Sequence, residues 1–254
     1  MKRLDGKVAV ILGASAEESM GAVTARQFAE EGAKVVVAAR RLAPVEALAA
    51  AIGGVGVACD VGSEEQLNAL ADTAVSHFGK LDIAVNFSGL NASGPIAEMT
   101  REAMQAVVDV HLIGTAFFIK AMAARMANGG SIVSTSSLTV DRPGPGLGAY
   151  SATKAAADQL VRVAAVEYGG KNIRVNAVAP GFTRSAMTEG YFAYPGIQKA
   201  FEHEIPLGRL GTVQDQAGAV LWVASDECFM TGQIIQVSGG QTLNRLPTAA
   251  EMGF

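Results

Sequence analysis

Cysteine, histidine and tryptophan are scarce in this chain: two, three and one in 254 residues. Cys59 and Cys228 make no disulfide framework and read as reduced thiols, in the core or near the surface, of a cytoplasmic protein. The three histidines, His77, His111 and His203, have no ligand-like spacing, so no metal site is expected. Positive charge is also short. The formal net charge is −4 and the isoelectric point about 5.5, which gives no electrostatic reason for nucleic acid or an anionic membrane as a partner. No apolar run approaches the roughly 20 residues that span a bilayer. "MKR", "VAVIL" and "ASA" imitate a signal peptide near the start, but Asp5 and Lys7 interrupt it. The apolar core there is only Val8 to Leu12, short of the about 7–15 residues of a secretory segment, and reads as a buried first strand.

What is abundant is apolar residues, half of the chain, together with 29 glycines. That length and composition suit one α/β domain over residues 1–254. Short β-branched runs at 7–12, 34–38, 55–59, 82–86, 131–135, 172–178 and 234–237 alternate with helical patterns near 20–31, 43–52, 63–78, 100–127, 149–168 and 213–225. Ser63 before Glu64 and Glu65, and Thr100 before Glu102, are helix-start signals. The early strand runs are continuously apolar, as in strands covered on both faces. Strict alternation predicts a doubly wound, parallel Rossmann-type sheet with helices on both faces. A less regular segment, about 182–212, is expected to cover a substrate, and 241–254 forms a tail.

The first strand runs into a helix through "GASAEESMG" (residues 13–21). In a parallel sheet this turn is where a pyrophosphate meets backbone N–H groups and the positive end of a helix. Gly13 allows the sharp turn and Gly21 the close approach of phosphate or sheet. Ser15, Ser19 and Met20 belong to the same cradle, and Ser19 is expected to offer its hydroxyl to phosphate. Glu17 and Glu18 would repel that phosphate and are expected to face solvent.

Tyr150 and Lys154 stand four residues apart on a helix and share a face, and Ser137 closes the preceding strand. A phenol with an ordinary pKa near 10 needs a neighbouring cation to act as a base at neutral pH, and Lys154 supplies one. Ser137 would donate to an oxygen on which charge grows, and Tyr150 would pass the proton. Lys154 would also hold the nicotinamide ribose.

These pieces, with "LDGKVAVILGAS", "CDV" (59–61), "NFSG" (86–89), "GSIVSTSS" (130–137), "YSATK" (150–154), "NIRVNAVAPG" (172–181), "PLGRLG" (206–211) and "TGQIIQVSGG" (231–240), resemble the single-domain short-chain dehydrogenases/reductases over residues 4–240. The resemblance implies a seven-stranded sheet in a homotetramer packed through the two long helices, with Ser137, Tyr150 and Lys154 catalytic. It implies Asp60 and Val61 at the adenine, Asn86 and Gly89 on the adenine-side strand end, and Pro180, Gly181 and Thr183 facing the nicotinamide, with Ser185 where the family has threonine.

The sequence departs from that pattern in places. The opening turn is two residues longer than usual and is similar to that of divergent enoyl-acyl-carrier-protein reductases, whereas the three-residue gap between Tyr150 and Lys154 is that of ketoreductases. His111 stands where the family has a helix asparagine, and it is entered as a fourth catalytic candidate, a titratable ring in a proton relay. Ala39 occupies the position that decides between nicotinamides, followed by Arg40 and Arg41. With no acid there and an arginine fork that suits a phosphate, NADP(H) is favoured and NAD(H) is possible.

Met187, Tyr191, Phe192 and Tyr194 would form an apolar lid, with Glu202, His203 and Glu204 in water and the residues 90–94 and 138–147 as further walls. An apolar ketone or secondary alcohol is the expected substrate; acyl-thioester, steroid, cyclic ketone and sugar-derived substrates all fit. Three functions stand: a carbonyl reductase or alcohol dehydrogenase, an enoyl reductase, and a non-catalytic nucleotide-binding protein. The tail is expected to reach a neighbouring subunit.

Overall fold

Every residue of Val8–Leu12, the first strand (β1), is buried, and its two faces enter different layers. Val8, Val10 and Leu12 pack with Leu67, Leu70, Phe118, Met122 and Val161. Ala9 and Ile11 pack with Phe28, Val45, Leu48, Val220 and Leu221. A strand apolar at every position must be sheathed on both sides, and this one is. In the computed structural model, which describes residues 2–253, six further strands follow: β2 (Lys34–Ala39), β3 (Val55–Ala58), β4 (Ile83–Asn86), β5 (Gly130–Thr135), β6 (Ile173–Pro180) and β7 (Ile234–Val237). They form one parallel sheet in the order β3-β2-β1-β4-β5-β6-β7. The order reverses between β1 and β4, which opens a crevice beyond their carboxyl ends.

Helices α1 (Met20–Glu30), α2 (Leu42–Ile52) and α8 (Val213–Ala224) supply one apolar layer. Helices α3 (Glu64–Phe78), α5 (Gly114–Ala123) and α6 (Gly148–Gly169) supply the other. Ser63 and Thr100 cap their helices by accepting from the N–H groups of Gln66 and Ala103, as their sequence signals predict.

The stretch expected as one helix over 100–127 is three pieces: α4 (Arg101–Val107), a π-helical turn (Val108–Ile113), and α5. Its 23 residues Arg101–Ala123 are long and apolar enough to cross a bilayer by length and composition, so the expectation that no segment approaches that length is corrected. Half of its most apolar window is buried in the fold, which is how a core helix behaves.

The segment taken as irregular contains α7 (Ile197–Glu204). Ile197 and Phe201 bury one face of it, and the Phe201 ring stacks on Phe182 at 3.9 Å. The same face buries Glu204, which corrects its expected place in water; Glu202 is half-buried and His203 exposed. The partner of Glu204 explains this: Arg245, from the tail, lies 3.1 Å from its carboxylate and also pairs with Glu251 of the short helix α9 (Ala249–Met252). Leu246 and Met252 pack against the same cluster as Phe182, Tyr191 and Phe192. The tail therefore clasps the covering segment of its own chain.

Candidate active site

The turn after β1 is built by two glycines that no other residue could replace. Gly13 has φ +96°, and a Cβ there would lie 2.7 Å from the carbonyl carbon of Phe87. A Cβ on Gly21 would lie 2.5 Å from the carbonyl oxygen of Gly13. The two backbones touch, so the helix starts directly over the strand end. Ser19 caps α1, accepting from Ala22 N–H at 3.2 Å and donating to the Ala16 carbonyl at 2.7 Å. That internal bond holds its hydroxyl in this structure, and Ser19 still lines the cleft at the start of α1. Glu17 and Glu18 are exposed as expected.

A cleft of about 630 Å³ opens from this turn. Gly13, Ser15, Ser19, Met20, Arg40, Arg41, Asp60, Val61, Gly89 and Ser185 line it, with Met187 from the covering segment. Cys59 lines it too; burial pushes its thiol up to about 12, so it is an unreactive wall. Six of the expected cofactor residues are outside this lining: Asn86, Pro180, Gly181 and Thr183, and the pair Tyr150 and Lys154. Asn86 is buried and accepts from Ser88 N–H and, through a short contact, from the Ser88 hydroxyl, so it shapes the loop that carries Gly89. Thr183 is buried and bonds to Gly181 and Gln216, and Pro180 ends β6. Through these bonds Asn86 and Thr183 brace the rim of the cleft. A dinucleotide fits the arrangement: the crevice is the right kind, the glycine cradle has no room for a side chain, and the amino end of α1 faces it.

The reacting groups stand beside this cleft, joined to it by hydrogen bonds. Lys154 Nζ donates to Thr135 O at 2.7 Å, and Thr135 Oγ1 donates to Asn86 O at 2.8 Å. This ties the catalytic helix to the ends of β5 and β4. Tyr150 lies on the first turn of α6, and a hydrogen bond with Ser137 acts on its phenol. Burial is the larger effect and pushes the Tyr150 pKa up, with Ser137 pulling it down and Tyr191 adding to the rise. The expected lowering by Lys154 is not found, because its ammonium points at a carbonyl and stands 5.9 Å from the phenol ring centre. At neutral pH the phenol keeps its proton. Burial brings Lys154 itself down to about 8, opposed by Asp158.

His111 sits in the π-helical turn, 1% exposed, with its ring edge-on to Tyr150 at 5.3 Å. Leu90 N–H donates to its Nε2 at 3.0 Å, which leaves the proton on Nδ1, 2.9 Å from Thr153 Oγ1. Thr153 in turn donates to the Ala149 and Tyr150 carbonyls. Burial, with a smaller push from Lys154, takes the ring down to about 3. His111 thus bridges the cofactor-side loop and the catalytic helix as a neutral ring. Its folded pKa lies below the unfolded value of 6.5, so its contribution to stability is complete above pH 6.5 and fades as pH falls towards 3. His111→Asn is expected to leave the neutral pH–rate profile unchanged and to flatten the loss of thermal stability between pH 6.5 and 4, read by calorimetry; a shifted neutral limb would show the relay.

Sequence reasoning missed Thr153 as a brace, although it stands inside "YSATK". It also missed the latch from Asn91 Nδ2 to the Tyr191 hydroxyl, 2.9 Å across the cleft mouth, which joins loops 100 residues apart and has no local signal.

The comparisons agree with this architecture. A family model described as "Enoyl-(Acyl carrier protein) reductase" matches residues 13–242. An uncharacterised oxidoreductase of Methylorubrum extorquens is 38% identical over 249 residues, 94% of this chain and 99% of that protein. The 3beta-hydroxysteroid dehydrogenase 1 of Eggerthella lenta is 35% identical, covering 94% and 95%. The 3-oxoacyl-[acyl-carrier-protein] reductase FabG of Thermotoga maritima is 34% identical, covering 94% and 98%. A solved short-chain type dehydrogenase/reductase from Mycobacterium ulcerans superposes with a TM-score of 0.91 at 28% identity, covering 98% and 94%. The chain is an oxidoreductase that belongs to the short-chain dehydrogenase/reductase family, whose members work with a nicotinamide cofactor.

Proposed function

We propose that this protein is an NADP(H)-dependent carbonyl reductase acting on a small, fairly apolar ketone, with Tyr150 as the acid. One observation carries the reading: a half-buried phenol held protonated, hydrogen-bonded to Ser137, one helical turn from Lys154 and beside a cleft that suits a dinucleotide. The nicotinamide, when bound, supplies the hydride. Ser137 orients the substrate oxygen, and Tyr150 gives it a proton as charge builds there. Lys154 uses one donor on Thr135 O and has two more for a ribose and for stabilising the phenolate. Phe182, Tyr191 and Phe192 pack against Ile197 and Phe201, so the covering segment is apolar where it is built, which suits a hydrocarbon framework beneath it.

The phosphate preference rests on Arg40 and Arg41. Both are exposed at the cleft edge, and Arg41 leans on Ser15 Oγ at 3.3 Å, next to the glycine cradle. Both are open to solvent, which screens them, so the pair together is expected to contribute about 1.5–3 kcal/mol. The double variant Arg40→Ala/Arg41→Ala is therefore expected to raise KM for NADPH by about 10–100-fold and leave NADH within about twofold. Equal losses for both cofactors would remove the preference.

A homotetramer is part of the same reading, supported by the exposed Val163 and Val166 on α6, the latter 83% exposed. Sedimentation of the purified chain tests it.

An enoyl reductase is the second reading. The long Gly13-to-Ser19 turn and the description of the matching family model favour it. The Tyr150–Lys154 spacing favours carbonyl reduction. NADPH oxidation followed at the nicotinamide absorbance band, with ketone and enoyl panels side by side, decides between them. Turnover confined to the enoyl panel would overturn the ketone reading.

A further inference from the structure

Behind the face of α6 that presents Tyr150 lies a carboxylate that this chemistry leaves unused. Asp158 is one turn beyond Lys154, 3% exposed, and accepts from Ser136 Oγ at 2.7 Å. Lys154 is 4% exposed and donates to Thr135 O, also at 2.7 Å. Two adjacent turns of one helix therefore grip two consecutive residues at the end of β5, immediately before Ser137. A buried carboxylate is costly unless it is paired and hydrogen-bonded. The Ser136 hydroxyl is the strongest influence that keeps this carboxylate charged, with Arg162 and then Lys154 adding to it. The charged groups acting on Asp158 are Lys154 and Arg162 on its own helix and Asp141 from the loop after β5. Around Lys154, the neutral His111 faces it from the π-helical turn, Tyr150 lies one turn back, and Asp158 is the carboxylate that acts on it.

We propose that Asp158 is a positioning residue for proton transfer: its charge keeps buried Lys154 an ammonium, and its bond to Ser136 fixes the strand end that carries Ser137. The proposal rests on the carbonyl-reductase reading. Burial pulls Lys154 down to about 8 and pushes Asp158 up to about 6, and each charge opposes the other's shift. Between those values both groups are charged, which is the working range of a reductase at neutral pH. Losing the carboxylate would let the lysine discharge earlier as pH rises.

Asp158→Asn keeps the shape and the acceptor for Ser136 while removing the charge. It is expected to move the alkaline limb of kcat/KM for ketone reduction down by about one pH unit, an effect of about eightfold at pH 8.5 that almost vanishes at pH 6. Ser136→Ala leaves the carboxylate in place but removes the bond that most favours its charge, so it should move the limb in the same direction by less than Asp158→Asn, and Asp158→Glu should restore most of it. Stability separates this from a purely structural role. The folded pKa of Asp158 is raised, so its contribution is complete below the unfolded value of 3.8 and lost as pH rises through about 6. Asp158→Asn should therefore keep or raise Tm at pH 7.5, whereas a structural carboxylate would show a fall. A second readout needs no turnover: the Lys154 13Cε signal of the NADPH complex, titrated by NMR, should move to a lower midpoint in the variant. In the unmutated chain it should carry a second inflection at the Asp158 midpoint. An unmoved limb together with an unmoved titration overturns the proposal, and so does the missing inflection if the variant does not fold. A wild-type chain that reduces no ketone overturns the carbonyl-reductase reading instead, and the Lys154 titration still decides the coupling.

Discussion

Replacing Tyr150 with phenylalanine is expected to lower kcat for ketone reduction by about 10²–10⁴-fold, the usual worth of a positioned general acid, while Kd for NADPH stays within about threefold. The substitution removes one oxygen and little else. The ring stays edge-on to His111, and the first turn of α6 keeps its anchors, since Thr153 bonds to the Ala149 and Tyr150 main chain. Lys154 stays on Thr135 O, so its hold on a ribose is untouched. What disappears is the proton donor proposed to act in concert with Ser137. Because burial raises the phenol's pKa, the wild-type acid is present through neutral pH and the loss should be as deep at pH 7 as at pH 6. Single-turnover absorbance with NADPH measures the rate, and fluorescence titration measures the affinity. Retention of more than about a tenth of wild-type kcat, at unchanged affinity, would show that another group delivers the proton.

Gly13→Ala is expected to destabilise the chain by about 2–5 kcal/mol and to abolish measurable NADPH binding. Two costs add. A β-carbon at φ +96° is strained by about 1–2 kcal/mol, and it would also meet the Phe87 carbonyl carbon at 2.7 Å, an overpacking worth about 1–3 kcal/mol. Relief would have to come from β1 or β4, both in the middle of the sheet. Gly53 provides the control: its φ is +68°, but open space surrounds it, so Gly53→Ala should show the conformational cost alone, about 1–2 kcal/mol, with cofactor binding intact. Urea unfolding of both variants with and without NADPH separates the two. Equal ΔΔG values would mean that the Phe87 contact is soft and that the turn is not the rigid cradle described above.

Much of the fold was legible because its signals are local. The strand runs found in sequence match β1 to β7 to within one or two residues, since a strand buried on both faces must be apolar throughout. The glycine turn and the Tyr150–Lys154 spacing were legible for the same reason: a tight turn and a shared helix face are properties of a few neighbouring residues. Asp158 obeys that same four-residue spacing from Lys154 and could have been noticed, but nothing nearby says that it is buried. The burial of Glu204 is set by Arg245, 41 positions later, and the fate of the Ser19 hydroxyl by a carbonyl that only the folded turn brings near.

The sequence by itself determined the order of strands and helices, the glycine cradle and the one-turn separation of phenol and ammonium, because these depend on backbone sterics and helical period alone. Only the tertiary structure decided protonation and partnership. It made His111 a neutral brace, kept Tyr150 protonated, set Asp158 behind Lys154 and turned the tail onto its own covering segment. Those outcomes depend on desolvation and on charges brought close by segments far apart in the chain, and no local pattern of residues encodes the distance between them.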